Sequence, residues 1–220
     1  FKIEAPYDFE VINIPYFSFM EEEEQSAAMV PKNKAIRIVC NSTESADFVG
    51  GILEEHGFDD TGFLTEGITS WGNLLVPKLV DSWKGCELYQ FVRPGKASCS
   101  YALAANGEMM FFDPSRNVDF YLEFAKKKKC KIIKTFETHL QADYIAGSRM
   151  IAEITGAQFF ANDNDFRDAK TGHAALADGE VHGFSTQSVQ VQVMFTPGHT
   201  PGSTSYIIDE KYLISGDTVF

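Results

Sequence analysis

Short β-branched runs and helical apolar stripes alternate along the whole chain. Residues 35–39 (AIRIV) are compact and β-branched, and they lead through Cys40-Asn41-Ser42-Thr43 into a stretch carrying Phe48, Val49, Ile52 and Leu53. That spacing lays the four side chains along one helical face, so the segment reads as strand, loop, helix. Ser42 or Thr43 is suited to cap the helix and Gly57 to end it. From Cys86 onward the strands come closer together, punctuated by Gly and Pro. Residues 100–104 and 108–112 flank Asn106-Gly107, the dipeptide best suited to a two-residue hairpin turn. Residues 118–129 then predict a helix with Phe120, Tyr121 and Phe124 on one side. Four lysines, Lys126 to Lys129, stand at its carbonyl-rich end, where cations are favoured. Further strands are predicted at 132–136, 189–195 and 212–215, and a helix at 144–154. The alternation points to an α/β protein.

A chain of 220 residues, 44% hydrophobic and 23% charged, is long enough for one or two domains with a real core, which excludes solenoids and disordered tails. Its net charge of -12 excludes binding to nucleic acid or anionic lipid through a general positive field. The acidity is uneven. Residues 1–83 carry 15 Asp and Glu against 5 Lys and Arg, whereas residues 84–220 carry 16 against 14, so two modules are expected with a break at 83/84. Cys40, Cys86, Cys99 and Cys130 form no CxxC pair, and no apolar run approaches the roughly 18 residues that span a bilayer. A reduced, cytoplasmic protein without membrane contact is expected, with homo-oligomerisation left open. Because the sequence starts at Phe1, a longer native protein is expected.

In the first module Cys40 lies where a strand ends and a helix begins. A helix N-terminus favours a thiolate over a thiol and can hold a sulfur-bound anion, which is what a nucleophilic cysteine needs. The same position also suits an ordinary small buried cysteine. In order, Asn13-Ile14-Pro15-Tyr16, Ile36 to Cys40, Gly57-Phe58 and Gly67-Ile68-Thr69-Ser70-Trp71 resemble the second half of a rhodanese domain. The resemblance implies a partial parallel sheet with helices, and a sulfane sulfur carried on Cys40. Here the following loop reads CNSTESA, where the family usually has a glycine and often an arginine.

In the second module three polar residues close three predicted strands. His139 follows 132–136, His199 sits in TPGHTPG after 189–195, and Asp217 sits in SGDT after 212–215. Strand ends are where open α/β sheets place ligands, and two imidazoles with one carboxylate suit a mononuclear metal with open positions. The set THLQAD, TPGHTPGS and SGDT resembles the metallo-β-lactamase fold family over about residues 86–220. QFVRPGKASCSY and FFDPSR resemble its sulfur dioxygenase branch. The resemblance implies an αβ/βα sandwich, incomplete at the C-terminus, with His139, His199 and Asp217 as metal ligands. The family's first motif is HxHxDH, and its second and fourth metal positions are here Gln141 and Tyr144. Those exchanges remove imidazoles that a dizinc hydrolase needs but spare a mononuclear iron site.

The expected function is therefore an Fe(II)-dependent dioxygenase fused to a sulfurtransferase-like module. Its partners would be O2 and a small thiol persulfide of glutathione or coenzyme A type, and its product sulfite. Asp143 is expected to orient a ligand or a bound water, and Asp113 to fix the loop carrying His139. Two alternatives stand: a single-zinc thioester hydrolase resembling hydroxyacylglutathione hydrolase, with Asp143 as helper, and a catalytically silent binding module. His173 and His182 are read as loop surface, and Cys99 as a buried structural residue.

Overall fold

The computed structural model describes residues 9–96, 98–141, 146–168, 172–186 and 189–219. The chain divides into two units, Phe1–Leu74 with Arg93–Ala97, and Leu75–Val92 with Ser98–Phe220. The first is built from α1 (Tyr16–Glu21), α2 (Glu23–Ala28), β1 (Ile36–Ile38), α3 (Thr43–Glu55), β2 (Thr61–Phe63) and α4 (Gly67–Asn73). Strands β1 and β2 pair in parallel, Ile36 opposite Thr61 and Ile38 opposite Phe63, with α3 as the connection. Ser42 Oγ accepts from Ser45 N at 3.3 Å and caps α3, and Gly57, at φ 82°, takes the left-handed turn that follows it. Val49, Ile52 and Leu53 face a core with Phe19, Ala27 and Phe58. Phe48, assigned to the same stripe from sequence, is exposed instead and meets Tyr16 edge-on.

The second unit begins with β3 (Val76–Trp83), β4 (Cys86–Arg93), β5 (Ser98–Ala105) and β6 (Glu108–Phe112). Hydrogen bonding of β3 to β4 draws residues 76–83 into this unit, ahead of the break in charge. The chain continues with α5 (Val118–Lys127), β7 (Lys131–Phe136), α6 (Ser148–Thr155), β8 (Gln158–Ala161), α7 (Asp163–Phe166) and β9 (Ala174–Ala175). It ends with β10 (Val181–Gly183), β11 (Gln190–Phe195), β12 (Thr204–Ile208), β13 (Tyr212–Ile214) and a 3-10 turn, Gly216–Thr218. Strands β3 to β9 form a seven-stranded sheet in chain order, and β10 to β13 a four-stranded sheet. In the first sheet β6, β7, β8 and β9 run parallel.

Strict alternation sorts the side chains of β5 and β6 into two cores. Leu103, Ala105, Met110 and Phe112 face the four-stranded sheet, where they meet Val191, Val193, Tyr206 and Ile208. Ala102, Ala104, Met109 and Phe111 face the other way, onto Val118, Tyr121 and Ile151 of α5 and α6. The hairpin turns at Asn106 and Gly107, both with positive φ (47° and 79°), as a type I′ turn requires. Helix α6 starts at Ser148, later than predicted, and residues 142–145, with Asp143 and Tyr144, lie outside the described residues.

Across the parallel strands Phe112, Phe136 and Phe160 stand in register and their rings stack, with centroids 5.0 and 5.2 Å apart. This apolar row levels the carboxyl ends of β6, β7 and β8. The polar residues that follow, Asp113, Glu137 and Asn162, are all buried above or beside it. Among the described residues no helix is long and apolar enough to cross a membrane.

Candidate metal centre

Beyond Phe136 the chain stays buried through Glu137, Thr138 and His139, whose exposure is only 4%. Tyr206 donates its hydroxyl to Glu137 O at 2.7 Å and fixes the backbone there. Asp113, at φ 51°, turns its carboxylate toward the same segment. Its Oδ1 accepts from Thr138 N at 2.7 Å, and its Oδ2 accepts from the Thr138 hydroxyl at 2.9 Å. With that proton committed, Thr138 Oγ1 accepts from His139 Nδ1, 2.8 Å away. In that tautomer the Nε2 lone pair is free to bind a cation. Asp113 thus fixes the loop carrying His139, as expected from sequence.

Burial pushes the Asp113 carboxyl up, against the lowering pull of Thr138. Burial, with the neighbouring Asp113 charge, also pushes the Glu137 carboxyl well up. The Glu137 carboxyl is fully buried beside Asp113 and Ser148.

His199 and Asp217 come from the four-stranded sheet. The loop from β11 to β12 is closed by Thr196 N bonding to Ser203 O at 2.8 Å and by Thr200 N bonding to Ser203 Oγ at 2.9 Å. Asp217 lies in the turn after β13, and Gly216, at φ 52°, lets that turn approach Thr138. A Cβ on Gly216 would stand 2.5 Å from Thr138 Oγ1. A third link pairs the Thr196 and Thr218 hydroxyls at 3.2 Å.

These supports bring one ligand atom from each of His139, His199 and Asp217 within 4.8 Å of one another. Asp217 Oδ2 stands 3.8 Å from His139 Nε2 and 3.5 Å from His199 Nε2. Two donors each about 2.1 Å from one ion lie about 3.0 Å apart at a right angle and about 3.4 Å apart at the tetrahedral angle. The two Asp217 separations stand close to those values, and the donor types suit zinc or ferrous iron. His139 is buried, while His199 and Asp217 are 42% and 46% exposed.

Gln141 turns its amide toward the other nitrogen of His139, with Nε2 3.4 Å from Nδ1. Its side chain is thus directed at the ring nitrogen that faces Thr138. Cys40 lies in the first unit, two residues past β1, and lines a cavity of about 530 Å³ with Ile38, Val49 and Leu53. Its carbonyl accepts from Ile68 N at 2.9 Å, and a Cβ on Gly67 would stand 2.2 Å from that oxygen.

Three other readings change. His182 lies in β10 and is buried against Phe136 and Phe160, because the polar ADGEVHG stretch pairs with β11. His173 also turns inward, its Nε2 2.9 Å from Asp163. Cys99 is exposed rather than buried, at the start of β5. Sequence reasoning missed Thr138, and a threonine before a histidine carries no signal that would mark it.

No family model matches the chain. Among curated proteins it is 32% identical over 100 residues to a hydroxyacylglutathione hydrolase of Rhizobium etli, covering 45% of this chain and 38% of that one. It is 30% identical over 128 residues to a hydroxyacylglutathione hydrolase of Anaeromyxobacter dehalogenans, covering 58% of this chain and 48% of that one. The chain thus spans about half the length, or less, of these relatives. A solved metallo-β-lactamase of Staphylococcus aureus superposes with a TM-score of 0.57 at 25% identity, over 62% of this chain and 43% of the other. The chain carries a metallo-β-lactamase fold.

Proposed function

We propose that His139, His199 and Asp217 hold a single metal ion and that the protein is an iron(II)-dependent persulfide dioxygenase. The observation that carries this reading is the donor set: two imidazoles and one carboxylate gathered within 4.8 Å, with Gln141 facing the far nitrogen of His139. A neutral amide directed there offers no second imidazole for a partner metal, so a mononuclear centre is favoured over a dizinc one. His139, His199 and Asp217 would hold ferrous iron, which when bound would supply the electron transfer that activates O2.

The overall reaction balances as one persulfide, one O2 and one water giving the thiol, sulfite and two protons. The persulfide would be of the glutathione or coenzyme A type. In this reading the Asp113–Thr138 pair holds the His139 tautomer, and Asp143 orients a ligand or bound water. Cys40 would carry sulfane sulfur in a rhodanese-like first module; its place between β1 and α3 and on a cavity wall supports that role. A second copy of the chain remains a candidate partner, and a cytoplasmic setting fits four unpaired cysteines.

One finding favours a second reading. The curated relatives named above are hydroxyacylglutathione hydrolases, which supports a single-zinc hydrolase of glutathione thioesters. Oxygen uptake separates the two. Protein reconstituted anaerobically with Fe(II) should consume O2 on addition of glutathione persulfide, and His199→Ala should abolish the uptake. Iron-loaded protein without uptake, together with hydrolysis of lactoylglutathione by the zinc-loaded form, would decide for the hydrolase. Neither activity in metal-loaded protein would leave a silent binding module.

A further inference from the structure

Two of the three donors of the centre sit on loops from different sheets, and one side chain reaches both. Asp165, on the short helix α7, accepts from Leu140 N at 3.0 Å through Oδ2. The same oxygen accepts from the Thr200 hydroxyl at 2.6 Å, and Oδ1 accepts from Gly202 N at 2.7 Å. Leu140 follows His139, and Thr200 follows His199. One carboxylate is therefore bonded next to both histidines, across the gap between the seven-stranded and four-stranded sheets.

The surroundings are shaped to admit it. A Cβ on Gly202 would stand 2.5 Å from Asp165 Cγ and 2.7 Å from its Oδ1, so the second glycine of TPGHTPG is required for the contact. Helix α7 is in turn anchored from below. Asn162 caps it by accepting from Asn164 N at 3.0 Å, and donates to Thr204 Oγ1 at 3.2 Å. Thr204 N bonds to Thr138 O at 2.7 Å, which returns the network to the residue before His139. Short charge-assisted bonds to two backbone amides and a hydroxyl make a stiffer link than neutral pairs would.

We propose that Asp165 is a positioning residue that sets the spacing of His139 and His199 and thereby the affinity of the centre for its ion. The inference rests on the reading of His139, His199 and Asp217 as metal ligands. Outer partners of this kind change metal affinity by about 10- to 100-fold when removed.

The test is a Co(II) titration of the metal-free full chain, followed by visible ligand-field absorbance, with thermal unfolding of the metal-free proteins alongside. Wild type should bind one Co(II). Asp165→Ala should bind it at least tenfold more weakly with an altered spectrum, at a temperature well below its unfolding. Asp165→Asn, which keeps one acceptor oxygen, should fall between and serves if the alanine variant does not fold. A purely structural Asp165 would lower the unfolding temperature and leave affinity and spectrum as in wild type, which overturns the proposal. Wild type that binds no Co(II) would instead overturn the metal centre itself, and the proposal with it.

Discussion

Thr138 shows how much a single side chain decides at the centre. It donates to Asp113, accepts from His139 and lies against the turn that carries Asp217. Thr138→Val keeps the shape and removes both bonds, leaving a buried carboxylate short of a donor. The variant is expected to lose about 1–3 kcal/mol of stability in urea unfolding and to hold zinc about 10- to 100-fold more weakly in equilibrium dialysis. His182 supplies a pH-dependent counterpart. Burial between Phe136 and Phe160 holds its imidazole below the usual 6.5, with Lys134 pushing the same way and Glu180 opposing. In the unfolded chain the ring takes its proton first, so stability falls as pH drops below 6.5 toward the lower folded value. Wild type should lose up to about 1.4 kcal/mol per pH unit more than His182→Gln across that window, and the two urea midpoints should run parallel above pH 7.

The ends of elements carry the site, and the stacked ring row sets their level. Removing its middle member, Phe136→Ala, should cost about 3–5 kcal/mol, because rings on both neighbouring strands and Tyr206 lose contact at once. Guanidinium unfolding of the variant, with the metal content of its folded fraction, checks whether the ligand loops depend on that level. The strand ends themselves were legible in the sequence. Gly-Asp and Pro-Gly-His after β-branched runs mark chain reversals with a polar residue aimed inward, and Asn106-Gly107 marks its hairpin without ambiguity. Asp165 was not legible, because the four-residue helix DNDF is too short to show a period and its carboxylate acts on partners 25 to 37 positions away. The burial of His182 was hidden for a similar reason. Its flanking residues are polar, and only pairing with β11 and the rings of distant strands puts it inside.

At the scale of the whole chain, the two proposed sites lie in separate units. Cys40 belongs to the βαβ unit, whereas every donor of the centre belongs to the two-sheet unit. The expected outcome is independence. Cys40→Ser should abolish sulfane-sulfur labelling and leave Fe(II) content within about 20% of wild type, and His199→Ala should do the reverse, because groups with no shared partners act additively. Mass spectrometry of the labelled protein and metal analysis of the same samples provide both readouts.

The unequal exposure of the three donors has a kinetic meaning. His139 is enclosed, while His199 and Asp217 face water, so an ion would be anchored from one side and reached from the other. Exchange should then proceed by an incoming chelator displacing the two outer donors one at a time while His139 still holds. Loss of metal would then accelerate with chelator concentration instead of following a fixed spontaneous off-rate.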